Sequence, residues 1–181
     1  GFVELALAFK FLSIADQAFH WGILDREINI AIWIVIVVLI GLYLMKAFRL
    51  PGDTGKDIED KRIGIPRLVL AMIAFTFVVY LVPGMWGAPL KALAGYLPPL
   101  YTHDFDLIGL NRDNNKNEIC DEPKYADFLH LPHGLKGYFD YDQALACARK
   151  QNKPLFIDFT GHGCTNCREM EAVVWSDQEV L

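Results

Sequence analysis

Two stretches of this chain carry no charged residue at all, 28–45 (INIAIWIVIVVLIGLYLM) and 68–90 (LVLAMIAFTFVVYLVPGMWGAPL), and nothing else constrains its fold as strongly. An α-helix rises ~1.5 Å per residue, so ~20 apolar residues cross the ~30 Å hydrocarbon core of a bilayer. Both stretches meet that length, and the only polar side chain near the start of the first is Asn29. They are read as membrane spans. The chain is 53% hydrophobic with mean hydropathy +0.23, and the excess is concentrated in these runs. Trp33, Tyr43, Tyr80 and Trp86 are candidate interfacial anchors. Pro66 suits the first turn of the second span, where its missing N–H costs nothing. Pro83-Gly84 predicts a kink or an early end, with the exit anywhere in 82–90. Residues 1–15 lack the layout of a signal peptide and read as the tail of an earlier span. Its Glu4 is expected to face a bundle interior, and Lys10 to do likewise or to snorkel. Residues 1–90 are thus expected to be the end of a polytopic membrane domain.

Orientation follows from the connector at 46–67, which holds Lys46, Arg49, Lys56, Lys61, Arg62 and Arg67, whereas 16–27 offers only Arg26. Basic loops stay on the cytoplasmic side, so the chain after residue 90 should face the opposite compartment. The net charge of −5 and the lack of a basic patch interleaved with aromatics argue against nucleic acid as a partner.

Residues 91–137 read as a linker, because Pro98-Pro99, Pro123, Pro132 and the polar run 111–118 leave little room for regular elements. Asp113, Asn115 and Asn117 superficially suggest a calcium loop, but Glu118 stands where that loop requires glycine and Lys124 where it requires a bidentate glutamate. Cys120 and Cys147 are either free thiols or a disulfide, and spacing leaves both open. From 138 the pattern is globular. Asp140 and Gln143 predict a cap for a helix to about Gln151, with Tyr141, Leu145 and Ala148 on its buried face. A strand is expected at 154–160, then a helix at 164–174 with Met170, Val173 and Val174 towards the core. Ser176 and Glu179 form a capping box for one more helix.

The chemistry lies in Gly163-Cys164-Thr165-Asn166-Cys167. Free backbone N–H groups and the positive end of a helix dipole favour thiolate at the first cysteine, so Cys164 is the expected nucleophile. Cys167, nearly one turn on, is the expected resolving thiol. Asp158 lies within the apolar strand pattern and is expected to be a buried carboxyl beneath the dithiol, able to take the Cys167 proton, the alternative being a partly exposed aspartate on an edge strand. Attached c-type haem would require His after Cys167, and Arg168 is there. Zinc would require two further ligands, and only His162 is close. Copper held by His162, Cys164 and Cys167 is the remaining metal alternative. Otherwise His162 is expected to be exposed and idle.

The segment FIDFTGHGCTNCREMEAVVWSDQEVL resembles the start of a thioredoxin-like domain, and more narrowly the C-terminal domain of the DsbD family of transmembrane thiol:disulfide interchange proteins. The upstream runs, including GFVELALAFKFLS and YLVPGMWGAPLKALAGYLPP, resemble the end of that family's membrane domain. The resemblance implies membrane helices followed by an α/β thioredoxin-like domain, here 138–181. It places the family's active-site residues on Cys164, Cys167, Asp158 and Glu171. The chain departs from many thioredoxin-like proteins in having Gly163 instead of Trp before the first cysteine, and its Thr-Asn dipeptide leaves the redox potential open. The implied activity is protein-disulfide reduction without a cofactor in a bacterial inner membrane. Electrons would pass from cytoplasmic thioredoxin through a membrane cysteine pair absent from this chain, which has no cysteine before Cys120, to the outer dithiol. Oxidised periplasmic proteins would receive them, cytochrome c maturation being one destination. The 44 residues from Tyr138 onward fall short of the ~100 of a complete sheet of this kind, so the domain is expected to be truncated at its C-terminus. A membrane-tethered metal-binding module and a disulfide oxidase or isomerase are the alternatives.

Overall fold

The computed structural model describes residues 1–50, 63–103, 119–177 and 180. Lys56, Lys61 and Arg62 of the basic connector, the rejected calcium loop and Glu179 of the last capping box lie outside the described residues. Five α-helices are seen among those described: α1 (Phe2–Phe19), α2 (Arg26–Leu44), α3 (Ile65–Leu81), α4 (Tyr141–Gln151) and α5 (Thr165–Val173).

The apolar runs become α2 and α3, which pack on each other more extensively than any other pair. Their close approach depends on Gly41: a Cβ there would lie 2.8 Å from a ring carbon of Phe75. Ile30, Trp33, Leu81, Leu90 and Leu97 form the core between them and the segment that follows. Outward-facing Val35, Leu39, Val69, Met72, Ile73 and Val79 remain exposed. The helices Arg26–Leu44 and Ile65–Trp86, with mean hydropathies of 2.4 and 2.3, are long and apolar enough to cross a membrane by length and composition. Pro66 sits in the first turn of α3, and at Pro83 the α-helix tightens into the 3₁₀ turn Val82–Trp86, as that proline predicts.

Several single residues differ from expectation. Trp33 is buried in the core, while Trp86 is exposed. Tyr80 accepts a hydrogen bond from the Ala92 N–H at 3.3 Å. Glu4 is exposed and pairs with the terminal amine of Gly1. Lys10 lays its ammonium 4.2 Å from the ring centre of Tyr96. Arg26 is turned inward, fully buried, and donates to the carbonyls of Pro89 and Pro98. At the other end of the same loop, the buried Asp16 carboxylate accepts the N–H groups of Ile23 and Leu24, each at 3.1 Å, and closes the turn from α1 to α2.

Proline punctuation leaves only short 3₁₀ turns between 91 and 137 among the described residues, at Lys91–Leu93, Leu100–Thr102 and Pro132–Gly134. Beyond them α4 starts as its sequence predicts, with the Asp140 carboxylate accepting the Gln143 N–H at 2.9 Å. Leu145 and Ala148 are half-buried, but Tyr141 is exposed and Cys147 is the buried residue of this helix.

The α/β expectation is not confirmed, because there is no strand among the described residues. Residues 154–160 form no regular element, and a segment becomes part of a sheet only when another backbone exchanges N–H and C=O bonds with it. Both faces are open as a result: Phe156 is 79% and Phe159 87% exposed. The same lack of a covering layer leaves Met170, Val173 and Val174 of α5 exposed, contrary to their expected place in a core.

Candidate redox site

The glycines around His162 turn the chain sharply, with the Cys164 N–H bonding back to the Gly161 carbonyl at 3.1 Å. Cys164 then takes extended dihedrals as the N-cap of α5. Its sulfur accepts the backbone N–H of Cys167 at 3.2 Å. A helix N-terminus leaves its first N–H groups without intrahelical partners, and here one of them points at the sulfur expected to carry negative charge. Cys164 and Cys167 are joined as a disulfide with Cα atoms 5.3 Å apart, and both are partly exposed.

Behind the disulfide α5 turns charge inward. Arg168 and Glu171 are both buried, with guanidinium nitrogen and carboxylate oxygen 2.9 Å apart. The other terminal nitrogen of Arg168 donates to the Thr160 hydroxyl at 2.7 Å, and the imidazole of His133 meets the Glu171 carbonyl at 2.6 Å. Burial pushes the Glu171 carboxyl above the ordinary glutamate range; Arg168 opposes this and Asp158 adds to it. Burial likewise raises the Tyr101 phenol. Tyr101, Thr160, Arg168 and Glu171 line a cleft of about 890 Å³ that also receives Tyr138, Ile157, Asp158 and His162.

The structure therefore brings Cys164, Cys167 and Glu171 onto one short helix, with Glu171 one turn beyond Cys167 on the same face. Asp158 lines the same cleft but is exposed, which corrects the expectation of a buried carboxyl beneath the dithiol. The burial expected of Asp158 is found at Glu171. His162 is half-buried and faces His20 at the end of α1, ring centres 6.0 Å apart. Burial, followed by His20 and Arg168, lowers its pKa. No group of three or more His, Cys, Asp or Glu side chains is placed to hold a metal ion among the described residues.

Sequence reasoning missed the role of Arg168, although a charge pair at i and i+3 on an apolar-flanked helix was a readable signal. It also left Cys120 and Cys147 open. They are a disulfide with Cα atoms 5.7 Å apart, and the Tyr138 hydroxyl accepts the N–H groups of Cys120 and Asp121 beside it. Gln143 adds two bonds, accepting from the Lys124 N–H and donating to the Glu122 carbonyl, so residues 120–124 are strapped onto α4.

A family model described as thioredoxin-like matches residues 136–181. No curated protein and no solved structure matches the chain. The match covers α4, residues 154–160, Cys164, Cys167 and α5, and it supports a thioredoxin-like domain in this part of the chain. Such domains are generally thiol:disulfide oxidoreductases, and the disulfide at the N-terminus of α5 is of the kind that chemistry uses.

Proposed function

We propose that this chain belongs to a DsbD-like membrane protein that moves reducing equivalents outward across a bacterial inner membrane, with the Cys164–Cys167 pair as the outer carrier. The observation that carries the reading is the Cys167 N–H directed at the Cys164 sulfur on the N-cap of α5. In the reduced form, Cys164 thiolate attacks a partner disulfide, forming a mixed disulfide and releasing one partner thiolate, which takes up a proton. Cys167 then loses its proton and attacks the Cys164 sulfur. The second partner thiol leaves and the Cys164–Cys167 disulfide reforms, so two electrons and two protons have passed to the partner. Glu171, buried and raised in pKa, and Asp158 in the same cleft are the groups proposed to handle protons near these thiols. A membrane cysteine pair elsewhere in the protein, itself served by cytoplasmic thioredoxin, would reduce the carrier again.

Membrane insertion is supported by the exposed apolar faces of α2 and α3, a surface expected in lipid and costly in water. The outward orientation rests on the basic connector at 46–67. The Cys120–Cys147 disulfide supports it independently, because a disulfide away from the reactive pair persists in an oxidising compartment. On this reading residues 1–90 are membrane domain and 138–181 lie in the periplasm.

The test is capture of the partner in living cells. The Cys167→Ser variant of the full-length protein should accumulate mixed disulfides through Cys164 with oxidised periplasmic proteins, and a membrane-impermeant thiol reagent should reach Cys164 from outside. Absence of any adduct from a well-expressed variant, or labelling from the cytoplasmic side alone, would contradict the proposal.

A further inference from the structure

Gly95 meets the dithiol loop at close range. A Cβ built on Gly95 would collide with Cγ2 of Thr165 and lie 3.1 Å from its carbonyl oxygen. Thr165 is the first of the two residues between the cysteines, so backbone at Gly95 is pressed against the centre of the reactive loop. The segment carrying Gly95 has little freedom to move. Ala94 and Leu97 are buried, Leu90 and Leu97 belong to the core between α2 and α3, and the Arg26 guanidinium holds the carbonyls of Pro89 and Pro98 on either side. Lys10 of α1 covers Tyr96 from the other direction. Between them, Lys10, Ser13, Gln17, Gly95 and Cys164 enclose a cavity of only about 20 Å³, room for roughly one water.

We propose that residues 91–97 form a seat for the dithiol loop, in which Gly95 is the recognition residue and Thr165 the side chain it admits. The inference rests on the redox reading of Cys164 and Cys167 and adds a place to it. When seated, the loop sets one side of Cys164 against the chain's own α1 and residues 95–97 across a cavity too small for a soluble partner, so full access of such a partner to that sulfur requires the loop to leave. Gly95 and Thr165 are positioning residues that set how often it does.

The experiment measures the rate at which iodoacetamide alkylates Cys164 in the reduced full-length protein in membranes. Overpacking a closed contact by one methyl implies that Gly95→Ala should speed alkylation by roughly fivefold or more. Thr165→Ile, which enlarges the opposite side, should act in the same direction. Thr165→Ser removes Cγ2, and combined with Gly95→Ala it should return the rate to within about twofold of the parent, as expected for directly coupled neighbours. Formation of the Cys120–Cys147 disulfide before reduction identifies variants that have folded. Unchanged alkylation in folded Gly95→Ala and Thr165→Ile, or no restoration in the double variant, would overturn the seat. Equilibration with glutathione separates this from the redox reading: a pair that exchanges normally without the shielding pattern sinks the seat alone, and a shielded pair that never exchanges sinks the redox reading alone.

Discussion

Arg168 and Glu171 form an ion pair of 2.9 Å in which both side chains are about nine-tenths buried, on the helix that Cys164 begins. Such a pair fixes one face of α5 under the disulfide, because either charge left alone in that position has lost its water and gained nothing.

Arg168→Met should therefore destabilise the domain by about 3 kcal/mol, since breaking a buried pair leaves an uncompensated charge. The double variant Arg168→Met/Glu171→Leu should recover most of that loss. Thermal unfolding of the detergent-solubilised protein measures both. Equal melting temperatures for parent and Arg168→Met would show that the pair does not hold the helix.

Glu171 also predicts a pH dependence of stability. Its folded pKa is raised above the ordinary 4.5, so the native state binds the proton more tightly than the unfolded chain does. Its contribution to stability is fully present below about pH 4.5 and is lost as pH rises through the folded value. Glu171→Gln should flatten the stability profile in that window. An unchanged slope would place the titration elsewhere.

His162 works in the opposite sense. Its folded pKa is lowered from 6.5 by burial and by the nearby His20 and Arg168, so the unfolded chain binds the proton more tightly. Stability from its packing is present above about pH 6.5 and falls as pH drops towards the lowered value. His162→Asn should reduce the loss between pH 7 and pH 5, read as melting temperature against pH.

Much of this arrangement was legible in the chain itself, and the reasons differ by element. α2, α3, α4 and α5 follow from local signals: uncharged length, Pro66 and Pro83, the Asp140 cap and a cysteine N-cap. The strand expected at 154–160 is not seen among the described residues, because sheet structure belongs to pairs of segments and an apolar run in one segment cannot supply the other. Burial was misplaced for a related reason. Asp158 was judged by its apolar neighbours in sequence, whereas Glu171 is buried beside Arg168, one turn back on the same helix, and against His133, which only folding brings near. The contact between Gly95 and Thr165 joins residues 70 positions apart in sequence, beyond any periodicity argument.

The strap on α4 predicts a separable role for the second disulfide. Cys120→Ser/Cys147→Ser opens a link across 27 positions, and loop entropy for that length gives a loss of about 3 to 4 kcal/mol. Cys164 and Cys167 should still exchange with glutathione below the lowered melting temperature. Loss of exchange in the folded variant would mean that the two disulfides act together.

The central claim is that the N-terminus of α5 makes Cys164 the attacking thiolate. The most direct measurement is the pH dependence of alkylation at each cysteine of the reduced full-length protein, followed by mass spectrometry of the labelled peptides. The account predicts that Cys164 reacts with an apparent pKa below the ~8.5 of a free cysteine, with Cys167 titrating higher. A Cys164 pKa at or above that value, or a lower one at Cys167, would contradict it.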